Sequence, residues 1–190
     1  MEKAHGAGLE PLLIKTLVKE LEAKGTLHIL RHGFKFYGKT SKLAYFRAAH
    51  RLNYELDDLF TKNQLTLTRQ VACHPSSNAT VDILLAVNGL PVATIELKNP
   101  TTVQNWRHAV KQYEQRDFRT PLFQFKNRAL VHFAADTDEI HMTTRLAGER
   151  TYFLPFNRGS HPGRSNAARA TRCIRLAIGR DTSGRRCSSR

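Results

Sequence analysis

The sequence predicts an α/β protein with a mixed central sheet flanked by helices. The chain has 190 residues, 41% of them hydrophobic, which is enough to bury the core of one domain. Its first part carries apolar residues at helical spacing, whereas short alternating or apolar segments follow from Leu65 and are interrupted by one further helical segment. The order along the chain is therefore helices, three strands, a further helix and more strands, as in an α/β domain.

Three helices are predicted before the sheet. The first ends at Gly25, which suits a left-handed stop, and the second covers Ser41 to about Arg51. The third is capped by Asn53, carries acids in its first turns and ends near Asn63. The apolar face of the first helix comprises Leu9, Leu12, Leu13, Leu17 and Leu21.

The predicted sheet begins with three strands, over residues 65–71, 81–87 and 92–98. The dipeptide Asn88-Gly89 favours a tight turn, so the second and third strands form a hairpin. A helix follows over about Val103 to Arg116. Further strands are predicted over residues 130–135, 140–145 and 151–156. Among these, His132 is expected to be a satisfied core or sheet-face residue.

The charge of the chain indicates a polyanionic partner. Thirty Lys and Arg residues against 16 acids give a net charge of +14, which favours nucleic acid first and an anionic membrane surface second. No apolar run is long enough for a membrane span and no signal peptide is evident, so a cytoplasmic protein is predicted. The 3 cysteines form no CxxC pair, and we expect neither a zinc site nor a disulfide framework.

Residues 158–190 differ in composition from the rest of the chain. They contain nine arginines, no lysine and a single acid, Asp181, with few apolar residues to bury. Such a segment is either an arginine-rich nucleic-acid arm or a disordered tail, and its composition favours disorder. We therefore expect one domain over residues 1–157 and a tail over residues 158–190.

Polar residues in the predicted hairpin carry the candidate chemistry. Asp82 lies near the start of one strand, and Glu96 and Lys98, two residues apart, share one face of the other. A three-residue loop would place Asp82 opposite Glu96. A two-residue loop would place Asp82 opposite Ile95, and a bulge would then be needed to bring the two acids together.

Two adjacent carboxylates need a cation between them, and hard oxygen ligands suit Mg²⁺, or Mn²⁺ in its place. The backbone carbonyl of Leu97 is a candidate third ligand. Lys98 would orient the attacking water, assist its deprotonation or stabilise charge on a phosphate, as phosphodiester hydrolysis requires. The alternative is structural: Asp82 caps a turn, and Glu96 pairs with Lys98 at the surface.

The pattern of Asp82 followed by Glu96-Leu97-Lys98 resembles the signature of PD-(D/E)xK nucleases. The surrounding segments RHGFKFYG, KLAYFRAAHRLN, VNGLPVATIELKNP and TYFLPFNRG resemble the N-terminal nuclease domain of the type I restriction endonuclease R subunit, over roughly residues 9–159. This resemblance implies a restriction-endonuclease-like core and a Mg²⁺-dependent double-strand DNA endonuclease working with modification and specificity subunits. It makes Asp82 and Glu96 metal ligands and Lys98 the catalytic lysine.

Family members often carry a Gln-x-x-x-Tyr motif on the following helix. Gln112 matches the glutamine, which implies that it contacts the active site or DNA, but Arg116 stands where the tyrosine is expected. Full R subunits continue into ATP-dependent translocase domains, whereas residues 160–190 do not resemble the family. The resemblance therefore predicts a truncated or frameshifted chain without the motor, which would not bind ATP.

Two other functions and one further residue stay open at this point. A non-catalytic DNA-binding or assembly module would explain the charge equally well, and only metal binding separates it from a nuclease. Gly33 to Thr40, GFKFYGKT, satisfies the P-loop pattern of an NTPase, although its aromatic residues are poorly suited to a phosphate loop. Glu55 is a candidate upstream acid for the metal, or else a residue of a solvated helix face.

Overall fold

A computed structural model of the chain describes residues 9–47, 53–74, 78–99 and 103–156. The predicted tail, residues 158–190, lies outside the described residues. The helices are α1 (Leu9–Lys24), α2 (Thr26–His32), α3 (Tyr54–Thr61) and α4 (Trp106–Glu114). The strands are β1 (Phe34–Phe36), β2 (Lys39–Ser41), β3 (Leu65–Ala72), β4 (Thr80–Val87), β5 (Leu90–Leu97), β6 (Val131–Ala135), β7 (Ile140–Thr143) and β8 (Leu154–Pro155). Within the described residues, no helix combines the length and the apolar character that crossing a membrane requires.

The first helix ends where the sequence predicts. Gly25 has φ 81, and a Cβ there would lie 2.5 Å from the carbonyl oxygen of Lys126, so only glycine fits without a shift. The next residue, Thr26, donates its N–H to that same carbonyl at 3.0 Å and its hydroxyl to Asn127 O at 2.7 Å. The junction of α1 and α2 is therefore fixed to the loop that precedes β6.

The predicted helix over residues 41–51 is wrong in its described part. Ser41 ends β2, and residues 42–47 form no helix, whereas residues 48–52 lie outside the described residues. The side chain of Asn63 accepts from Tyr45 N at 3.2 Å and donates to Tyr45 O at 2.6 Å. These bonds occupy backbone groups that a helix would need, and Ala44 beside them is buried in the core.

The P-loop alternative is also wrong. Residues 33–40, which would form its loop, instead form most of the β1–β2 hairpin, with Tyr37 at φ 48 and Gly38 at φ 74 in the turn. Phe34 and Phe36 are buried in the hydrophobic cluster beneath α1 and α2. A phosphate loop leads into a helix and leaves its N–H groups free, which this hairpin does not.

The sheet is mixed, as predicted. Its six strands follow the order β3-β4-β5-β6-β7-β8, and β5 and β6 are parallel while the other neighbours are antiparallel. Parallel neighbours need a crossover, and α4 supplies it between β5 and β6. The α4 helix spans a shorter range than the predicted 103–116, because Asn105 caps it by accepting from Arg107 N at 3.1 Å.

The β4–β5 hairpin combines a short loop with a bulge. Val87 pairs with Leu90, so the loop is the two residues Asn88-Gly89, and the three-residue alternative is wrong. The register then shifts, because Leu85 pairs with Ala93 while Ala86 pairs with Pro91, leaving Val92 as an extra residue. Ile83 pairs with Ile95, and one further step along the same register places Asp82 opposite Glu96.

A buried polar network ties the sheet to α4. Thr94 Oγ1 on β5 lies 2.9 Å from the Tyr113 hydroxyl and 2.7 Å from Nδ1 of His132 on β6. All three side chains are almost fully buried. Tyr113 also belongs to the hydrophobic cluster that packs α4 against the sheet. The core role expected for His132 is therefore confirmed, and Tyr113 is a core residue as well.

Candidate functional site

Asp82 is held by partners from both neighbouring strands. Its Oδ2 accepts the N–H of Leu97 from β5 at 2.7 Å, and its Oδ1 accepts from Gln70 Nε2 on β3 at 3.0 Å. Gln70 has φ 52, a left-handed conformation that interrupts the β3–β4 pairing between Arg69 and Val71. The carboxylate therefore has a fixed position at the sheet surface.

Glu96 is fully buried, with 0% of its surface exposed. Its Oε1 accepts from Nη2 of Arg116, whereas its Oε2 has no hydrogen-bond partner in the described part of the chain. Burial, opposed by the Arg116 guanidinium and reinforced by the Asp82 carboxylate, raises the pKa of Glu96 from 4.5 to about 7. The carboxylate of Asp82 is thus close enough to Glu96 to raise the pKa of that buried group.

Lys98 directly follows β5 and is held by α4. Its Nζ donates to Oε1 of Gln112 at 2.6 Å, and its backbone N–H donates to Ala135 O at 2.9 Å. Because the peptide is trans, the Leu97 carbonyl points away from β6, toward the side on which Leu97 N–H meets Asp82. The carbonyl predicted as a third metal ligand therefore faces the correct side of the strand.

Arg116 is the residue whose role was missed from the sequence. It lies just after α4 and pairs with Glu96. Its Nη2 also donates to Thr80 O at 2.5 Å, and its Nη1 donates to Cys73 Sγ at 3.1 Å. Its side chain is only 7% exposed. An arginine is almost never buried to this extent unless it has a charged partner, and here that partner is Glu96. The only signal in the sequence was that an arginine stands where the Gln-x-x-x-Tyr motif has its tyrosine.

A cavity of about 570 Å³ adjoins this cluster. Gln112 and Arg116 lie on one wall, and Thr80 and Cys73 lie on another. Its volume is in the range of pockets that take small ligands or parts of larger ones. Gln112 and Arg116 are therefore accessible from a concave surface.

Glu55 lies outside this cluster, and one predicted ion pair within it does not form. Glu55 is exposed on α3 and makes no hydrogen bond or ion pair with the site residues that the structure describes. The alternative surface pair of Glu96 with Lys98 is wrong, because Glu96 is buried against Arg116 and Lys98 bonds to Gln112. The structure places Asp82 close to Glu96 and bonds Lys98 to Gln112.

Comparison with known families gives one match. The model of the type I restriction enzyme R protein N terminus matches residues 29–151, more than half of the chain. The chain belongs to this family. The match confirms the resemblance stated from the motifs, over a shorter range than residues 9–159. No curated protein and no solved structure matches the chain. This R protein N-terminal region contains all of the clustered residues described above.

Proposed function

We propose that this R protein N-terminal region is the Mg²⁺-dependent endodeoxyribonuclease module of a type I restriction system. It would hydrolyse phosphodiester bonds in double-stranded DNA. The observation that carries the proposal is the placement of Asp82 beside Glu96, whose buried Oε2 has no hydrogen-bond partner among the described residues. Lys98 lies two residues further along the same strand face. An unpartnered buried carboxylate oxygen beside a second carboxylate is a place for a cation.

The residues present fit a magnesium ion better than a softer metal. The described residues contain no group of three or more His, Cys, Asp and Glu side chains that could hold a metal, so a metal here would depend on two carboxylates, a backbone carbonyl and water. The ligands would be the carboxylates of Asp82 and Glu96 and the carbonyl of Leu97. Magnesium usually keeps several waters and takes only one or two carboxylates, so a site with few protein oxygens suits it.

The chain's own residues provide the other requirements of hydrolysis. When bound, the metal acts as a Lewis acid and lowers the pKa of a coordinated water. Gln112 holds Nζ of Lys98 at 2.6 Å, which fixes the position of the ammonium. Lys98 would orient the attacking water and stabilise negative charge on the phosphate. Gln70 and the Leu97 N–H hold Asp82 in place while this occurs.

Family membership also supports the partners of this module. We propose that it acts on DNA within a complex that includes modification and specificity subunits, so that base recognition lies outside this region. Residues 1–157 would form the nuclease domain. ATP would bind elsewhere in the full-length enzymes, since residues 33–40 form a hairpin rather than a phosphate loop.

Lys98→Ala tests the catalytic role. We expect the variant to lose cutting of supercoiled plasmid DNA in Mg²⁺, because the ammonium that would orient the attacking water is removed, while its thermal unfolding resembles that of the wild type. Lys35→Ala removes an exposed lysine of β1 and serves as the charge-matched control. Equal cutting by Lys98→Ala and the wild type would refute the assignment.

A second candidate is a non-catalytic DNA-binding module. Arg116 favours it, because this guanidinium supplies Glu96 with a positive partner without any metal. Such a module would bind DNA equally in Mg²⁺ and in EDTA and would cut in neither. Plasmid cutting that requires Mg²⁺ and is lost in Lys98→Ala would exclude it.

A further inference from the structure

Two neighbouring cavities on another surface of the domain are lined by basic residues. Their volumes are about 560 Å³ and 430 Å³, and Phe125 lines both. No acidic side chain lines either cavity. We call this surface the basic cleft. The residues that define it are Arg31, Arg119, Phe125, Lys126, Arg145 and Arg150.

The positive charges of the basic cleft are not neutralised locally. None of its five basic side chains forms an ion pair within the described part of the chain. Lys24, which lines the first cavity, contrasts with them because it binds Glu20 at 2.6 Å. Grouped like charges repel one another, and a polyanion relieves that repulsion while releasing its own counterions.

Aromatic rings lie among these charges. Phe125 is 46% exposed and Phe118, beside it in the second cavity, is 43% exposed. The guanidinium of Arg145 and the ammonium of Lys126 lie 5.6 Å and 5.1 Å from the centre of the Phe125 ring. Exposed rings beside a line of cations are the arrangement on which bases stack while the backbone phosphates are neutralised.

The basic cleft adjoins the 570 Å³ cavity that Gln112 and Arg116 line, without including it. Both are bounded by the segment of residues 117–124, whose Thr120 and Phe123 line that cavity. Phe118 and Arg119 of the same segment line the basic cleft. A strand bound in the cleft would therefore lie beside that cavity and would need no metal.

We propose that the basic cleft binds a single-stranded polynucleotide, with phosphates on its arginines and bases on Phe118 and Phe125. Two concave cavities of this size suit individual nucleotides of a flexible strand. A duplex presents its bases only at the groove edges and cannot place them flat on an aromatic ring. The proposal stands apart from the nuclease function, since strand binding uses none of Asp82, Glu96 or Lys98.

The test is photocrosslinking of the full chain to a 12-nucleotide strand that contains 5-iodouracil, in EDTA, with the attached peptides identified by mass spectrometry. We expect attachment at Phe118 or Phe125. Fluorescence anisotropy with the same strand should show binding weakened roughly tenfold in Phe125→Leu, the effect of losing about one stacked base. Attachment confined to residues 158–190 would overturn the proposal.

Charge variants complete the test. Arg145→Gln with Arg150→Gln should lower the slope of log affinity against log salt by roughly 1.4, since two phosphate contacts are lost. Lys35→Gln with Lys39→Gln removes the same charge from the exposed face of the β1–β2 hairpin and should leave crosslinking at the phenylalanines unchanged. Equal losses in both pairs would contradict a defined site.

Competitors distinguish the ligand, and Lys98→Ala separates this proposal from the nuclease assignment. A 12-base-pair duplex or phosphatidylglycerol vesicles that displace the strand more effectively than unlabelled strand would refute single-strand recognition. Lys98→Ala should crosslink like the wild type even though it does not cut. Loss of crosslinking in Lys98→Ala would mean that the strand occupies the catalytic site instead.

Discussion

Glu96 controls the electrostatics of the candidate site. A fully buried carboxylate costs several kcal/mol unless it is paired, and Arg116 offsets only part of that cost because it contacts one of the two oxygens. Since the pKa of Glu96 is about 7, the group changes ionisation near neutral pH in the absence of a metal. The site is therefore arranged so that a further cation stabilises the ionised form.

Arg116→Met tests this pairing. It leaves Glu96 buried without a charged partner, and we expect the free energy of unfolding to fall by about 3 kcal/mol at pH 8, where Glu96 is ionised. Adding Glu96→Gln removes the unpaired charge and should restore most of the lost free energy of unfolding. Urea denaturation of the wild type, both single variants and the double variant measures the coupling. Strictly additive effects would show that the two side chains do not interact.

At the residue scale, the sequence indicated the candidate site residues but not the side chains that hold them in place. Asp82, Glu96 and Lys98 were found because carboxylates and a lysine are costly within a hydrophobic hairpin. Gln70 was missed, because its contact with Asp82 depends on a left-handed residue that interrupts β3. Arg116 was noticed only because it replaces the tyrosine of the family motif. Its position in the sequence does not show that its side chain, just after α4, reaches Glu96 on β5.

At the scale of elements, the β4–β5 hairpin determines the relation between the carboxylates. The two-residue turn alone would pair Asp82 with Ile95, and the extra residue Val92 shifts the register by one. Pro91 at this point has no N–H to donate, so an irregular ladder is less costly there. Loop length and bulges are not visible in strand periodicity, which is why the sequence left both registers open.

Asn88 joins this hairpin to the preceding segments, and Asn88→Gly tests its contribution. Its side chain donates to Leu43 O at 2.6 Å and to Asn63 Oδ1 at 2.9 Å, and accepts from Gln64 N at 2.6 Å. Glycine suits the positive φ at position 88, so the folded turn gains no strain, and the loss of these bonds adds to the greater entropy of the unfolded glycine chain. We expect a loss of about 2 kcal/mol in urea denaturation.

Gly89→Ala is the companion to that measurement. Gly89 has φ 83 and open space around its Cβ position, so alanine should cost only the strain of the turn, about 1 kcal/mol. A loss in Asn88→Gly no larger than that in Gly89→Ala would contradict a linking role for the Asn88 side chain.

At the scale of the whole molecule, the polar network of Thr94, Tyr113 and His132 joins the centre of the sheet to α4. Burial lowers the pKa of His132 from 6.5 to about 4. Between pH 4 and pH 6.5, the native protein therefore binds fewer protons at His132 than the unfolded chain does. Its contribution to stability is complete above pH 6.5 and is lost as the pH falls toward 4.

His132→Asn tests this dependence. In the wild type, protonation of His132 should remove roughly 3 kcal/mol of stability between pH 7 and pH 4, because a charged imidazole is disfavoured in the core. The asparagine variant lacks that titration, so its unfolding free energy should fall less over the same range. His74→Asn changes an exposed histidine and serves as the control. Parallel pH profiles for the wild type and His132→Asn would contradict the buried, neutral imidazole.

Across the molecule, the sequence predicted the sheet strands, the first, third and last helices and the mixed topology. These elements have strong periodicity, clear caps such as Asn53, or a turn such as Asn88-Gly89. The short helix α2 and the β1–β2 hairpin were not predicted. Both depend on glycines with positive φ and on burial of Phe34 and Phe36 beneath α1, which are tertiary features.

The most direct test of the central claim is a calorimetric Mn²⁺ titration of the full chain, with wild type beside Asp82→Ala. It asks whether the carboxylates form a metal site without requiring DNA, ATP or other subunits. We predict saturable binding by the wild type, loss of that binding in Asp82→Ala, and its retention in Lys98→Ala, which removes no ligand. The nuclease assignment would be contradicted if the folded wild-type protein bound no Mn²⁺. It would also be contradicted if Asp82→Ala bound Mn²⁺ as tightly as the wild type.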